Sequence, residues 1–296
     1  MDLLDRLDRM DDLASELDYD YSVNERHIAT MDQFREELLE PFRDPDRMIF
    51  YRGERISCLS RPLLPTLFRD RSLLIPPGEC CAEIDSDRLL ALYKSYGRYF
   101  DLFCSTFGHA HKYRMYDLCA FSQHYLNCSP LIDFTKSLHV ALSFGLKGKR
   151  EFTDDGLLYT VEISERENYT RDRVTAECWL NDYHVKVYDL KPGAERPKEA
   201  VTTSPDAKII DIATNDRMKF QRGVFLLLTD FTLVNRLYLT RSVRDSVSIN
   251  KYILDKSLCP DLTELVEREA PWYSFGNLLD VSAGIQTAIR SRRPEL

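Results

Sequence analysis

The chain has 296 residues, of which 48 are acidic and 40 basic, for a formal charge of −8; 44% are hydrophobic and 11% aromatic. That apolar content supports a buried core and argues against disorder, and the length suits one large domain or two small ones. The acidic balance disfavours broad electrostatic binding of nucleic acid, and no run approaches the about 20 apolar residues of a membrane span.

The start, Met1-Asp2-Leu3-Leu4-Asp5-Arg6, is charged and lacks the pattern of a secretory signal, so a cytoplasmic location is expected. Leu3, Leu7, Met10, Ala14 and Leu17 fall on one helical stripe. That stripe suits docking on the body of the protein, or a homodimer contact as the weaker alternative. A second helix is expected from Thr30, with Gln33 completing a capping box and Pro41 ending it. Met48-Ile49-Phe50-Tyr51 reads as a short buried strand that delivers Arg52 and Gly53. Residues 60–80, rich in Pro and Gly, read as loop. Helices are expected from Leu89 to Phe103 and from Arg114 to Tyr125. Leu131 to Phe134 reads as extended, with Ser137 capping the helix that follows.

The second half turns β-rich at Leu157–Ile163, His184–Leu190, Lys208–Ile212 and Gly223–Leu228, with a polar loop over 191–206. One more strand and two short helices are expected from about Ile249. Helices come first and strands later, with no linker between them. The expected fold class is therefore α+β, with residues 1–29 as an N-terminal helical extension and 30–296 as one domain. The eight cysteines include no Cys-x-x-Cys pair and read as packed, reduced thiols. His109-Ala110-His111 is the one candidate for metal spacing and reads better as a surface loop, so no metal site is expected.

Three segments carry residues suited to chemistry. Tyr51-Arg52-Gly53-Glu54 joins an aromatic that could stack on a flat ring, a guanidinium fork suited to phosphate or carboxylate, and a glycine that permits close backbone approach. Gln123-His124-Tyr125 precedes Leu131-Ile132-Asp133-Phe134-Thr135-Lys136-Ser137. In an extended chain Asp133, Thr135 and Ser137 share one face, while Ile132 and Phe134 share the other. That pattern suits a strand with one side in the core and one lining a cleft. Arg217 through Phe225 places Gln221-Arg222-Gly223 at the entrance to an apolar strand. Each segment alone has an ordinary reading: a strand-end salt bridge, helix capping, and a turn before a core strand.

Together they resemble the FRG-domain family. Tyr51-Arg52-Gly53 is similar to its [F/Y]-R-G signature. Gln123-His124-Tyr125, Leu131-Ile132-Asp133-Phe134-Thr135, Ser137, Ala141 and Phe144 resemble its central Q-H-Y-G and L-L-D-W-T block. Arg217 and Gln221-x-Gly223-x-Phe225 resemble its late R…Q-x-G-x-F motif. The likeness spans about residues 30 to 285. Leu126 stands where the family has Gly after Q-H-Y, and Pro130 where it has an Arg.

A fainter resemblance is to the ADP-ribosyltransferase layout: an early strand-end Arg, a Ser/Thr strand feeding a helix, and a late Gln/Glu motif. It implies a mixed, split β-sheet holding NAD, as substrate, in a cleft. On that resemblance Arg52, Asp133, Thr135 and Gln221 would be the catalytic set, with Gln221 where many members have a Glu. Tyr51, Gly53, Glu54, Gln123, His124, Ser137, Arg217 and Gly223 would line the ligand. A carboxylate is needed to stabilise charge on the ribose, and Gln221 is neutral, so Asp133 and Glu54 are the candidates. The implied activity is ADP-ribosyl transfer to a protein acceptor or NAD hydrolysis, in the setting of a toxin or antiviral defence. The alternative is a non-catalytic module that senses a nucleotide or a protein.

Overall fold

The structure, a computed structural model, describes residues 24–54, 115–121, 123, 129–146, 154–164, 166–189, 207–228 and 247–279. The helical stripe at 3–17, the loop at 60–80, the helix expected at 89–103, the His109/His111 string and the loop at 191–206 lie outside them. The described residues hold eight strands in one mixed sheet: β1 (Asn24–Ile28), β2 (Met48–Glu54), β3 (Leu131–Thr135), β4 (Gly156–Ile163), β5 (Tyr169–Thr170), β6 (Ala207–Ile210), β7 (Gly223–Leu228) and β8 (Val247–Leu254). Their order across the sheet is β1-β8-β4-β2-β3-β7-β6-β5. The β1–β8 and β5–β6 pairs are parallel and the others antiparallel.

Two helical pieces, α1 (Met31–Phe34) and α2 (Glu40–Arg43), flank a π-helical stretch at Arg35–Leu39. Thr30 and Gln33 form the expected capping box at the start. Pro41 does not end the helical run; it sits in the first turn of α2, directly after the wider π turn. There its missing N–H and its ring are tolerated. The strand expected at His184–Leu190 is instead the end of α5 (Arg173–Asp189), after α3 (Met115–Phe121) and α4 (Leu138–Gly145). Val185 and Val187 alternate as in a strand, but they continue a helix begun upstream; context outweighs their propensity. Residues 24–28, expected within a helical extension, form β1 on the sheet edge. After α6 (Asp216–Phe220) and β7, the chain ends its described part with β8, α7 (Cys259–Glu269) and α8 (Phe275–Leu279).

The two faces of the sheet differ. One carries Phe50, Ile132, Phe134, Tyr159, Val161, Val224 and Leu226 in a single buried cluster. Tyr169 of β5 packs against that cluster and stacks on Phe50 of β2, with ring centroids 5.9 Å apart. Three strands lie between β2 and β5. At the usual strand spacing a flat sheet would separate them by about 19 Å, so the sheet curls around this inner face. The outer face carries Tyr51 and Leu158 and is covered by Leu138, Ala141 and Leu142 of α4, with Leu262 and Val266 of α7 in the same cluster.

Candidate functional site

The sheet is weakest at its middle. β2 and β3 share one register pair, Tyr51 with Thr135, whereas β2 pairs with β4 along its whole length. Beyond that pair the edge of β3 lacks a backbone partner in β2, and a side chain takes over. Arg52 Nη1 donates to the carbonyl of Asp133 at 2.8 Å, and Arg52 Nε donates to Glu54 Oε1 at 2.9 Å. The Arg52 side chain is 16% exposed and that of Glu54 8%. Burial works against the arginine's charge. The carboxylates of Glu54 and Asp133 outweigh it and hold the guanidinium protonated. Arg52 Nη2 makes no hydrogen bond to a described residue.

Alternation decides which face each side chain takes. Phe50 lies in the inner cluster, so Arg52 and Glu54, two and four residues on, belong to the inner face. Ile132 and Phe134 are inner, so Asp133 and Thr135 belong to the outer face with Tyr51. The expected sharing of one face by Asp133 and Thr135 holds. Arg52 bonds residue 133 through its backbone carbonyl, and the Asp133 carboxylate acts on the guanidinium through charge and not through a hydrogen bond. On the outer face Gln123 Nε2 donates to Asp133 Oδ2 at 2.7 Å, which joins the two halves of the central block.

The remaining residues mostly serve the frame. Tyr51 is 1% exposed and its ring meets Phe42 edge to face, so it has no face to offer a flat ligand. A Cβ on Gly53 would lie 1.8 Å from the Ala141 carbonyl oxygen; this glycine admits α4, not a ligand. Thr135 Oγ1 donates to the Gln221 carbonyl at 2.7 Å and accepts from Ser137 N at 3.0 Å. Ser137, 1% exposed, caps α4 as expected. The Gln221 side-chain amide donates to the Leu278 carbonyl at 2.9 Å. Gly223 lies under Met218, where a Cβ would meet that side chain at 2.9 Å. Arg217 is exposed on α6. His124 lies outside the described residues.

Two polar clusters were not singled out from the sequence. Asp211, its side chain 8% exposed, accepts from Lys136 Nζ at 2.8 Å, from Arg171 Nε at 2.9 Å and from the Tyr169 hydroxyl. Burial alone would raise its pKa, and the bonds from Lys136 and Tyr169 hold it below the usual value. Lys136 stands inside the central block, the one signal that could have pointed here. His139 of α4 meets Glu269 at 3.3 Å, and Glu269 also accepts from Arg43 at 3.3 Å. Helical spacing gave no sign of that contact, which joins positions 130 residues apart in sequence.

A family model described as FRG domain matches residues 47–154. The match takes in Tyr51-Arg52-Gly53 and the central block; the late motif at Arg217 and Gln221–Phe225 falls outside it. No curated protein and no solved structure matches the chain. Among the described residues no helix is long and apolar enough to cross a membrane.

Proposed function

We propose, from the premise that this chain carries an FRG domain, that the inner-face side of the β2–β3 seam binds NAD or a related nucleotide, and that the protein transfers ADP-ribose or hydrolyses NAD. The supporting observation is the Arg52 guanidinium. It is nearly buried and held in plane by Glu54 and the Asp133 carbonyl, and Nη2 has no partner among the described residues. A fixed guanidinium nitrogen without a partner suits one anionic oxygen of a phosphate.

When the bond between nicotinamide and ribose breaks, its electron pair leaves with nicotinamide and positive charge develops on the ribose. A carboxylate stabilises that charge. Glu54 is the carboxylate on the same face as Arg52, and it takes this role in place of Gln221, which is neutral and committed to Leu278. Water or an acceptor group then adds to the ribose carbon and loses its proton to solvent or to the carboxylate. Purified protein incubated with NAD is expected to release nicotinamide, with Glu54→Gln reducing the rate at least about 10²-fold.

The second reading is a nucleotide-sensing module without turnover. The neutral Gln221, bonded to a backbone carbonyl, favours it. Calorimetry with NAD, ADP-ribose and ATP separates the two. Binding that depends on Arg52 without nicotinamide release supports the sensor, and no binding to any of the three removes both.

A further inference from the structure

We propose that Arg52 is the stitch that closes the sheet between β2 and β3, so that an anion bound at its Nη2 is felt in β3 and in the turn that carries Gln221. The first half rests on geometry alone. Seven residues of β2 are paired with β4, but only Tyr51 is paired with β3. In a continuous ladder the residue of β2 opposite Asp133 would be Gly53, two past Tyr51. The guanidinium of Arg52 instead supplies the donor for the Asp133 carbonyl, while Glu54 fixes its plane from the other edge. The outer face repeats the arrangement from the other side. α4 follows β3 through Ser137 and seats on Gly53 of β2. Among the described residues the β2–β3 seam itself is thus crossed by one backbone pair and one arginine, with α4 on the outer face and the apolar cluster on the inner face packed over both halves.

The second half follows the bonds onward. Thr135 at the end of β3 donates to the Gln221 carbonyl at 2.7 Å, and Lys136 N donates to the Arg222 carbonyl at 3.0 Å. Gln221 Nε2 reaches the Leu278 carbonyl of α8 at 2.9 Å. These contacts link the early signature to the late motif without direct contact between Arg52 and Gln221. A ligand shifts such a network only through its differential affinity for the stitched state. An anion on Nη2 has that preference, because the stitched guanidinium is already held in position. This half rests on the proposed function; the stitch itself does not.

Hydrogen exchange on the whole chain tests both halves. Without ligand, Arg52→Ala is expected to speed exchange about tenfold in peptides covering 48–54 and 131–135, and to leave 247–254 unchanged. A lost hydrogen bond to a charged group is worth at least about that factor. Arg52→Lys keeps the charge without the fork and is expected to show the same pattern if Arg52→Ala fails to fold. Wild-type exchange at 131–135 in a folded variant overturns the stitch. With ADP-ribose or pyrophosphate at saturation, exchange at 131–135 and 221–228 is expected to slow. Binding by calorimetry with no change there overturns the transmission. No binding overturns the nucleotide reading and the transmission together, while the ligand-free comparison still decides the stitch.

Discussion

Tyr51, Arg52 and Gly53 sit side by side, and the fold asks a different thing of each. Tyr51 fills the outer core, and its hydroxyl is buried with no hydrogen-bond partner among the described residues. Burial raises its pKa, so the group stays a neutral phenol. The [F/Y]-R-G signature admits Phe at this place, as expected where only the ring is used. Tyr51→Phe should therefore be neutral or stabilise by up to about 1 kcal/mol, because it removes an unsatisfied buried group; chemical denaturation measures this, and a marked loss would mean the hydroxyl has a partner. Gly53 is the opposite case. Its would-be Cβ meets backbone oxygen, not a side chain that could turn aside. Gly53→Ala should cost about 3 kcal/mol or more, read as a lowered urea midpoint with unchanged slope. Arg52 alone of the three has a side-chain nitrogen with no partner among the described residues.

At the scale of elements, capping chemistry placed helix starts well. Thr30 with Gln33, and Ser137 before α4, are local devices, and a few residues suffice to specify them. Asn215 caps α6 in the same way, accepting from Met218 N at 2.8 Å. Helix ends were harder to place, since Pro41 was tolerated after a π turn and α5 ran through a strand-like stretch. The turn from α6 to β7 holds Arg222 at a φ of 50°, the left-handed region that disfavours residues with a Cβ. Arg222→Gly should stabilise the chain by about 1 kcal/mol. Thermal unfolding checks this, and a fall in Tm would mean that the Arg222 side chain supplies an interaction worth more than the strain.

At the scale of the molecule, partly buried titratable groups among the described residues tie distant segments together and shape the response to acid. Burial lowers the pKa of His139 below its ordinary 6.5, against the pull of Glu269. The unfolded chain therefore takes up that proton first, and the contribution present above pH 6.5 fades as pH falls through the lowered value. Burial would raise Glu269 and Asp211. Their bonds to His139 and Arg43, and to Lys136 and Tyr169, hold them below 4.5 and 3.8, so their contributions are lost only in stronger acid. Thermal unfolding followed against pH should show a plateau above about pH 7 and a fall in two stages. His139→Gln should remove the first stage and keep the part of the second that Asp211 supplies; a single fall in both proteins would count against this assignment. The residues of the early signature and the central block were legible in the sequence, as were the alternation of Ile132 and Phe134 against Asp133 and Thr135, because side-chain period and capping are local properties of the chain. Three things were not: the opposite faces of Arg52 and Asp133, the turn of Gln221 toward Leu278, and the curl that brings Tyr169 onto Phe50. Those depend on strand order and register, which arise from pairings between residues tens to hundreds of positions apart, and only the assembled sheet decides them.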